Sequence, residues 1–146
     1  MDRHTNLSLR EFQALAEFRR HLRLFLHFSE EQAREHAIEP QQHQALLALK
    51  GLPSGIRPTI GELAARLLLR HHTTVELVNR LESAGLARRG SDPADRRSIL
   101  LHLTPKGARK LGSLARAHQD ELRVKGPELA RSLRAILREN RGPHAA

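Results

Sequence analysis

The chain contains no cysteine, tryptophan or tyrosine. Without cysteine there are no disulfides, no thiolate metal ligands and no thiol redox sensor, and a reducing, cytoplasmic setting is expected. Aromatic residues are scarce. The four phenylalanines, Phe12, Phe18, Phe25 and Phe28, all fall in the first segment. That argues against single-strand binding by base stacking, which needs aromatic platforms on a basic surface. No apolar run approaches the ~18 residues of a membrane span, and the N-terminal MDRHTNLSLRE does not read as a signal peptide. Internal repeats and low-complexity segments are absent. So are the P-loop, the nucleophile elbow and the HExxH pattern, so no catalytic role and no cofactor are expected.

What is present is positive charge, unevenly placed. The 146 residues carry a formal charge of +9. Residues 1–56 hold 7 basic and 7 acidic side chains, residues 57–110 hold 11 and 5, and residues 111–146 hold 7 and 4. The excess is centred on the middle of the chain, where a polyanion would be met. A chain of this length forms one domain, or a small domain with helical extensions, and can bury a core without staples.

The first helix is predicted over residues 8–36. Leu9, Phe12, Leu15, Ala16, Phe18, Leu22, Phe25 and Leu26 recur at three- and four-residue steps, and Ser8 with Glu11 forms a possible capping box. So broad an apolar stripe fits either packing within one domain or an interface between two copies. A second helix begins with Pro40 at its first position, with Ala45, Leu46 and Leu49 inward. Gly51-Leu-Pro-Ser-Gly55 breaks the chain, and Ile56-Arg57 is a candidate third strand.

The organising stretch runs from Pro58 to Gly107. Thr59 and Glu62 form a capping box before Ile60, Leu63, Ala64 and Leu67. A helix over about 71–84 follows, its inward face Thr74, Leu77, Val78 and Leu81 at spacing 0, 3, 4 and 7. By subtraction His72, Val75, Glu76, Asn79 and Arg80 point outward, with Thr73 at the margin. Gly85 can take the left-handed conformation that ends a helix. Residues 86–90 and 97–103 read as strands, joined by the turn-rich loop Ser91-Asp-Pro-Ala-Asp-Arg96. Thr104-Pro105 starts another helix, with Leu111, Leu114, Ala115 and Leu122 on one stripe. Gly126-Pro127 is predicted to end it. A last helix over about 128–140 would bury Leu129, Leu133, Ile136 and Leu137, before a frayed tail at 141–146. This is a mainly α fold: a winged helix-turn-helix with a small hairpin wing, flanked by N- and C-terminal dimerisation helices. The expected divisions are 1–38, 39–107 and 108–146.

The element order, the segment ELAARLLLRHHTTVELVNRLESAGLARR, and Asp92-Pro93-x-Asp95-Arg96-Arg97 followed by Leu103-Thr104-x-x-Gly107 resemble the MarR family of bacterial transcriptional regulators. The resemblance spans nearly the whole chain in element order and is strongest over 59–107. It implies a homodimer with interdigitated terminal helices on a pseudo-palindromic operator, usually a repressor released by a small ligand. It also implies that Arg97, with Arg96 beside it, reaches the minor groove and that Asp95 helps hold the arginine. The family's ligand pocket lies between the dimer helices and the winged helix, where Phe25, Phe28 and Leu49 are candidates.

Double-stranded DNA is the expected partner. Thr59, Arg70, His71 and Arg88 are assigned to phosphates. His72, Val75, Glu76, Asn79 and Arg80 are assigned to base edges: Asn79 to adenine, Arg80 to guanine, Glu76 to a cytosine amino group, Val75 to a thymine methyl. Glu76 and Arg80, four apart, can alternatively pair with each other. The family usually opens this helix with small capping residues. Here Arg70-His71-His72 stands there, against the helix dipole, which suits a phosphate or guanine edge nearby. Protonated histidine would strengthen such a contact, so DNA affinity is expected to rise as pH falls from 8 to 6; a flat profile would count against it. Two other readings stay open. One is a metal-responsive regulator, for instance through His36 and His43 among the ten histidines; the other is an architectural DNA-binding protein of low specificity.

Overall fold

A computed structural model describes residues 6–139. The elements in order are α1 (Leu9–Glu35), α2 (Pro40–Lys50), α3 (Ile60–Leu67), α4 (His71–Ser83), β1 (Ala87–Asp92), β2 (Asp95–Leu103) and α5 (Pro105–Glu139). The class is mainly α with one antiparallel hairpin, as expected. His4, His144 and the tail at 141–146 lie outside the described residues. Two compact units form, one of Glu30–Arg116 and one of Met1–Ser29 with Ala117–Ala146. Helices α1 and α5 contribute residues to both.

In the unit Glu30–Arg116, local signals set the helices and apolar burial joins them. Thr59 accepts the Glu62 N–H at 3.1 Å. The expected reciprocal half is missing: the Thr59 N–H donates to the Arg57 carbonyl at 2.9 Å, and the Glu62 carboxylate accepts from Arg66 Nε at 3.0 Å. Thr74, Leu77, Val78 and Leu81 are buried, as the spacing required. Leu77, Val78 and Leu81 share a core with Leu46, Leu49, Leu63, Leu101, Leu111 and Leu114. Between α3 and α4 the chain reverses through Leu68, whose φ is +56°. Its side chain is almost wholly exposed. A left-handed leucine costs about 1–2 kcal/mol, which the flanking helix packing has to offset.

Three features of the hairpin and its surroundings differ from the sequence reading. First, Ile56 and Arg57 form no third strand; the sheet has two strands. The Leu101 N–H donates to the Pro58 carbonyl at 2.8 Å, but proline has no N–H with which to return a ladder bond. Second, the strands extend to Asp92 and Asp95, so the loop predicted over 91–96 shrinks to a Pro93-Ala94 turn. Third, Gly126-Pro127 does not end the helix, and α5 is a single helix with Pro127 inside it. Proline forfeits the bond its missing N–H would give to the Arg123 carbonyl. Its ring also crowds the preceding residue, and Gly126 has no Cβ to be crowded.

The second unit is made from the ends of α1 and α5. Ser8 and Glu11 cap α1 reciprocally: the Ser8 N–H donates to Glu11 Oε2 at 2.6 Å and the Glu11 N–H to Ser8 Oγ at 3.2 Å. Phe25 and Phe28 meet the His118 ring edge-on, with centroids 5.9 and 5.4 Å away. The apolar stripe is not buried within this chain. Leu9, Phe12, Leu15, Leu26, Leu133 and Leu137 are exposed, which corrects the expected burial of Leu133 and Leu137. Among the described residues of this unit, only Ser132 is buried.

The junction of α4, the hairpin and α5 explains the sequence LTPKG. The Thr104 hydroxyl donates to the Gly85 carbonyl at 2.6 Å and accepts the Gly107 N–H at 3.0 Å. A Cβ on Gly107 would sit 1.9 Å from the Leu86 carbonyl oxygen. Backbone cannot yield as a side-chain tip can, so Gly107→Ala is expected to destabilise the protein by about 3 kcal/mol or more. Urea unfolding followed by circular dichroism checks this; a loss under about 1 kcal/mol would show that the junction relaxes.

Candidate nucleic-acid interface

Helix α4 begins without a side-chain cap. Arg70 is its N-cap residue, with φ −70° and ψ 155°, and no side chain accepts from the first N–H groups. Its first turn holds no acidic residue. Arg70, His71 and His72 are exposed, so three basic or protonatable side chains surround the positive end of the helix dipole. Thr74 turns inward, its hydroxyl donating to the Arg70 carbonyl at 2.9 Å.

Along the outer face, Glu76 and Asn79 are exposed while Thr73, Val75 and Arg80 are half-buried. The pairing of Arg80 with Glu76 does not form. Arg80 turns to α2 instead, where Nε donates to Glu39 at 3.1 Å and Nη2 to Gln41 at 3.3 Å. Asn79 accepts from Arg89 of β1 at 2.9 Å, and the Arg89 guanidinium also pairs with Glu82. Arg88, its neighbour on the opposite face of the strand, is exposed. Thr59, half-buried, uses its hydroxyl as the cap of α3.

The hairpin displays its arginines through an irregular register. Ser91 pairs with Ile99 and the next pair is Asp92 with Asp95, so Arg96, Arg97 and Ser98 have no partner across the ladder. Arg96 and Arg97 are exposed. Two aspartates hold this bulge. Asp92 is buried, accepts the Ala94 N–H at 2.9 Å, and pairs with Arg57. Asp95 accepts the Arg97 N–H at 3.0 Å and the Ser98 hydroxyl at 3.1 Å. Asp95 thus holds Arg97 through its backbone N–H.

Arg57, Glu82, Arg89 and Lys106 were not singled out from the sequence. Lys106 donates to the Ala84 carbonyl at 2.9 Å, at the negative end of α4. The alternation of a strand hinted at Arg89, since Arg88-Arg89 must face opposite sides; nothing local pointed to Arg57. Of the ligand-pocket candidates, Phe25 borders a groove of about 250 Å³ in the terminal-helix unit, with Leu24, Leu122 and Leu129. Phe28 packs on His118, and Leu49 is buried in the core of the other unit. His36 Nδ1 lies 2.7 Å from the Gln32 carbonyl oxygen, and His43 is buried. Among the described residues no cluster of three or more metal-binding side chains occurs, and no helix is long and apolar enough to cross a membrane.

Hydrogen bonds from Arg97 and Ser98 hold the Asp95 carboxyl below the ordinary carboxylate range. A depressed folded-state pKa stabilises the ordered bulge above the unfolded value and loses that contribution as pH falls through the folded one. Exchange of the Arg97 amide is therefore expected to show protection that fades as Asp95 protonates in acid. Asp95→Ala should remove the protection at neutral pH, as read by NMR. Equal protection in the variant would show that Asp95 does not order the bulge.

The MarR family model matches residues 38–98, which hold α2, the helix-turn-helix and most of the hairpin. The uncharacterized HTH-type transcriptional regulator YsmB of Bacillus subtilis (strain 168) is 37% identical over 89 residues, 61% of this chain and 59% of that protein. The match thus spans under two thirds of that relative's length. A MarR family protein from Bacillus stearothermophilus has a TM-score of 0.69 at 26% identity, over 93% of this chain and 99% of that one. A mutant of S. aureus MepR bound to an oligodeoxyribonucleotide shares the fold, with a TM-score of 0.62 at 20% identity over 84% of this chain and 91% of that one. The segment that holds the capped α3, the basic-ended α4 and most of the hairpin is thus similar to the MarR family, and the chain shares the fold of its solved members.

Proposed function

We propose that this protein is a cytoplasmic, sequence-specific regulator of transcription that binds double-stranded DNA as a homodimer on a pseudo-palindromic operator. It is a repressor released by a small molecule, and no enzymatic activity is part of this reading. The observation that carries it is the display of two groups within one unit. One is the uncapped, wholly basic start of α4. The other is the unpaired Arg96-Arg97 bulge of the hairpin. Helix α4 enters the major groove, with His72, Val75, Glu76 and Asn79 toward base edges and Thr73 at the margin. Arg70, His71, Thr59 and Arg88 meet phosphates. Arg97, with Arg96 beside it, enters the minor groove, where narrow A·T-rich walls attract arginine. Arg80 serves this reading differently from the guanine contact first assigned, because Glu39 and Gln41 hold it.

The exposed apolar face of α1 and α5 supports the homodimer. Among the described residues Leu9, Phe12, Leu15, Leu133 and Leu137 are exposed, and large apolar side chains on such a surface are ordinarily buried against a partner. The groove beside Phe25 supports a small-molecule effector of partly apolar character.

Binding to the DNA upstream of the gene, against random DNA of equal length at two salt concentrations, tests the reading. A preference of ~10³ or more supports a site-specific regulator; equal binding with a steep salt slope favours an architectural role. Half-site centres should lie roughly 10 base pairs, or a multiple of that, apart. Arg97→Ala is expected to weaken operator binding by about 1–3 kcal/mol while the dimer stays folded. Unchanged affinity of the folded variant would remove the hairpin from the interface.

A further inference from the structure

Arg89 reaches from β1 to α4 and takes hold of two residues one helical turn apart. Its backbone N–H lies 3.4 Å from Glu82 Oε2, and its guanidinium pairs with the same carboxylate. The other arm, Nη2, donates to Asn79 Oδ1 at 2.9 Å. The Arg89 side chain is only partly exposed, at 27%. Glu82 anchors the arginine at both backbone and side chain, so the arm toward Asn79 is set by the fold.

An arginine side chain has donors and no acceptor. The amide of Asn79 is therefore turned with its oxygen toward Arg89 and its NH₂ group away. Asn79 is exposed on the outer face of α4. A free asparagine there pairs with adenine by accepting from the N6 amino group and donating to N7. Here the accepting oxygen is held by a cation, and further N–H groups crowd beside it. An adenine amino group would approach a guanidinium, donor against donor. Guanine presents two neighbouring acceptors, N7 and O6, to the same edge.

The geometry points to Asn79 and Arg89 reading the major groove together as a donor-only pair that selects guanine, with Glu82 as the positioning residue. This rests on the DNA-binding reading above and replaces the adenine pairing expected from Asn79 alone. The specificity of one recognition-helix residue is thus set by a residue of the hairpin.

The test is selection of binding sites by the full-length protein from duplexes with a randomised core, followed by affinities for single-base variants. The position read by Asn79 is the one whose discrimination Asn79→Ala abolishes. There the wild-type protein is expected to favour guanine over adenine by about tenfold. Arg89→Lys keeps a charge for Glu82 but lacks the second arm. Arg89→Lys and Arg89→Ala should both move the guanine-to-adenine ratio toward adenine by about tenfold, with preferences elsewhere in the site unchanged. If Arg89→Ala fails to fold, Arg89→Lys decides. An adenine preference in the wild type, or an unchanged ratio in the folded variants, overturns this proposal and leaves the regulator reading standing. Absence of any sequence preference overturns both.

Discussion

The turn that closes α4 is the constraint on which the DNA-facing surface depends. Gly85 takes φ +70°. Its N–H then donates to the Glu82 carbonyl and the Leu86 N–H to the Leu81 carbonyl, the paired bonds of a Schellman ending. The start of α5 closes onto this turn. Thr104 and Lys106 donate to the Gly85 and Ala84 carbonyls, and Gly107 lets its backbone lie against Leu86. The Leu81 and Glu82 carbonyls, which lack partners within the helix, are thereby satisfied by the turn itself, and those of Ala84 and Gly85 by the start of α5. The direction in which the hairpin leaves α4 follows from that closure, and so does the reach of Arg89 to Glu82 and Asn79.

Charge in this unit is divided between groups that organise it and groups that are displayed. Four acids are engaged internally: Asp92 with Arg57, Asp95 with the bulge backbone, Glu82 with Arg89, Glu39 with Arg80. Each such pair near the surface contributes little stability by itself. Their effect is geometric, since each fixes the direction of an arginine or a loop. Displayed outward are the basic set at the start of α4 and at the hairpin tip, with Glu76 on the same outer face of α4. The α4 start sits unfavourably against its own helix dipole. An anion seated there would turn that local cost into affinity.

The unit formed by the ends of α1 and α5 has the opposite character. Many of its large apolar side chains, Leu9, Phe12, Leu26 and Leu137 among them, are exposed. Two helices cannot enclose a core, because an apolar stripe wider than one contact seam must leave part of itself uncovered. A second copy of the same surface supplies the missing cover under the proposed function.

Much of this was legible from residue order. The buried face of α4 followed from spacing 0, 3, 4 and 7. The helix starts followed from Ser8, Thr59, Pro40 and Thr104-Pro105, and the turn at Gly85 from glycine's access to positive φ. The candidate interface was legible as a segment, because an exposed helix face is what its buried face leaves over. Local chemistry misled at Pro127, where a helix long enough to absorb one lost hydrogen bond continued. It also misled at Ile56-Arg57, where Pro58 could not complete a ladder. Long-range pairings were decided only by the fold. Arg80 could have turned to Glu76, four residues away, yet it meets Glu39; Asp92 meets Arg57; Asn79 meets Arg89. A sequence states which partners lie within a turn of a helix, because that distance is set by the backbone. Which of several distant charges arrives at a given side chain depends on how packed elements bring their surfaces together, and here that packing decided which recognition residues remain free to act and which are already engaged.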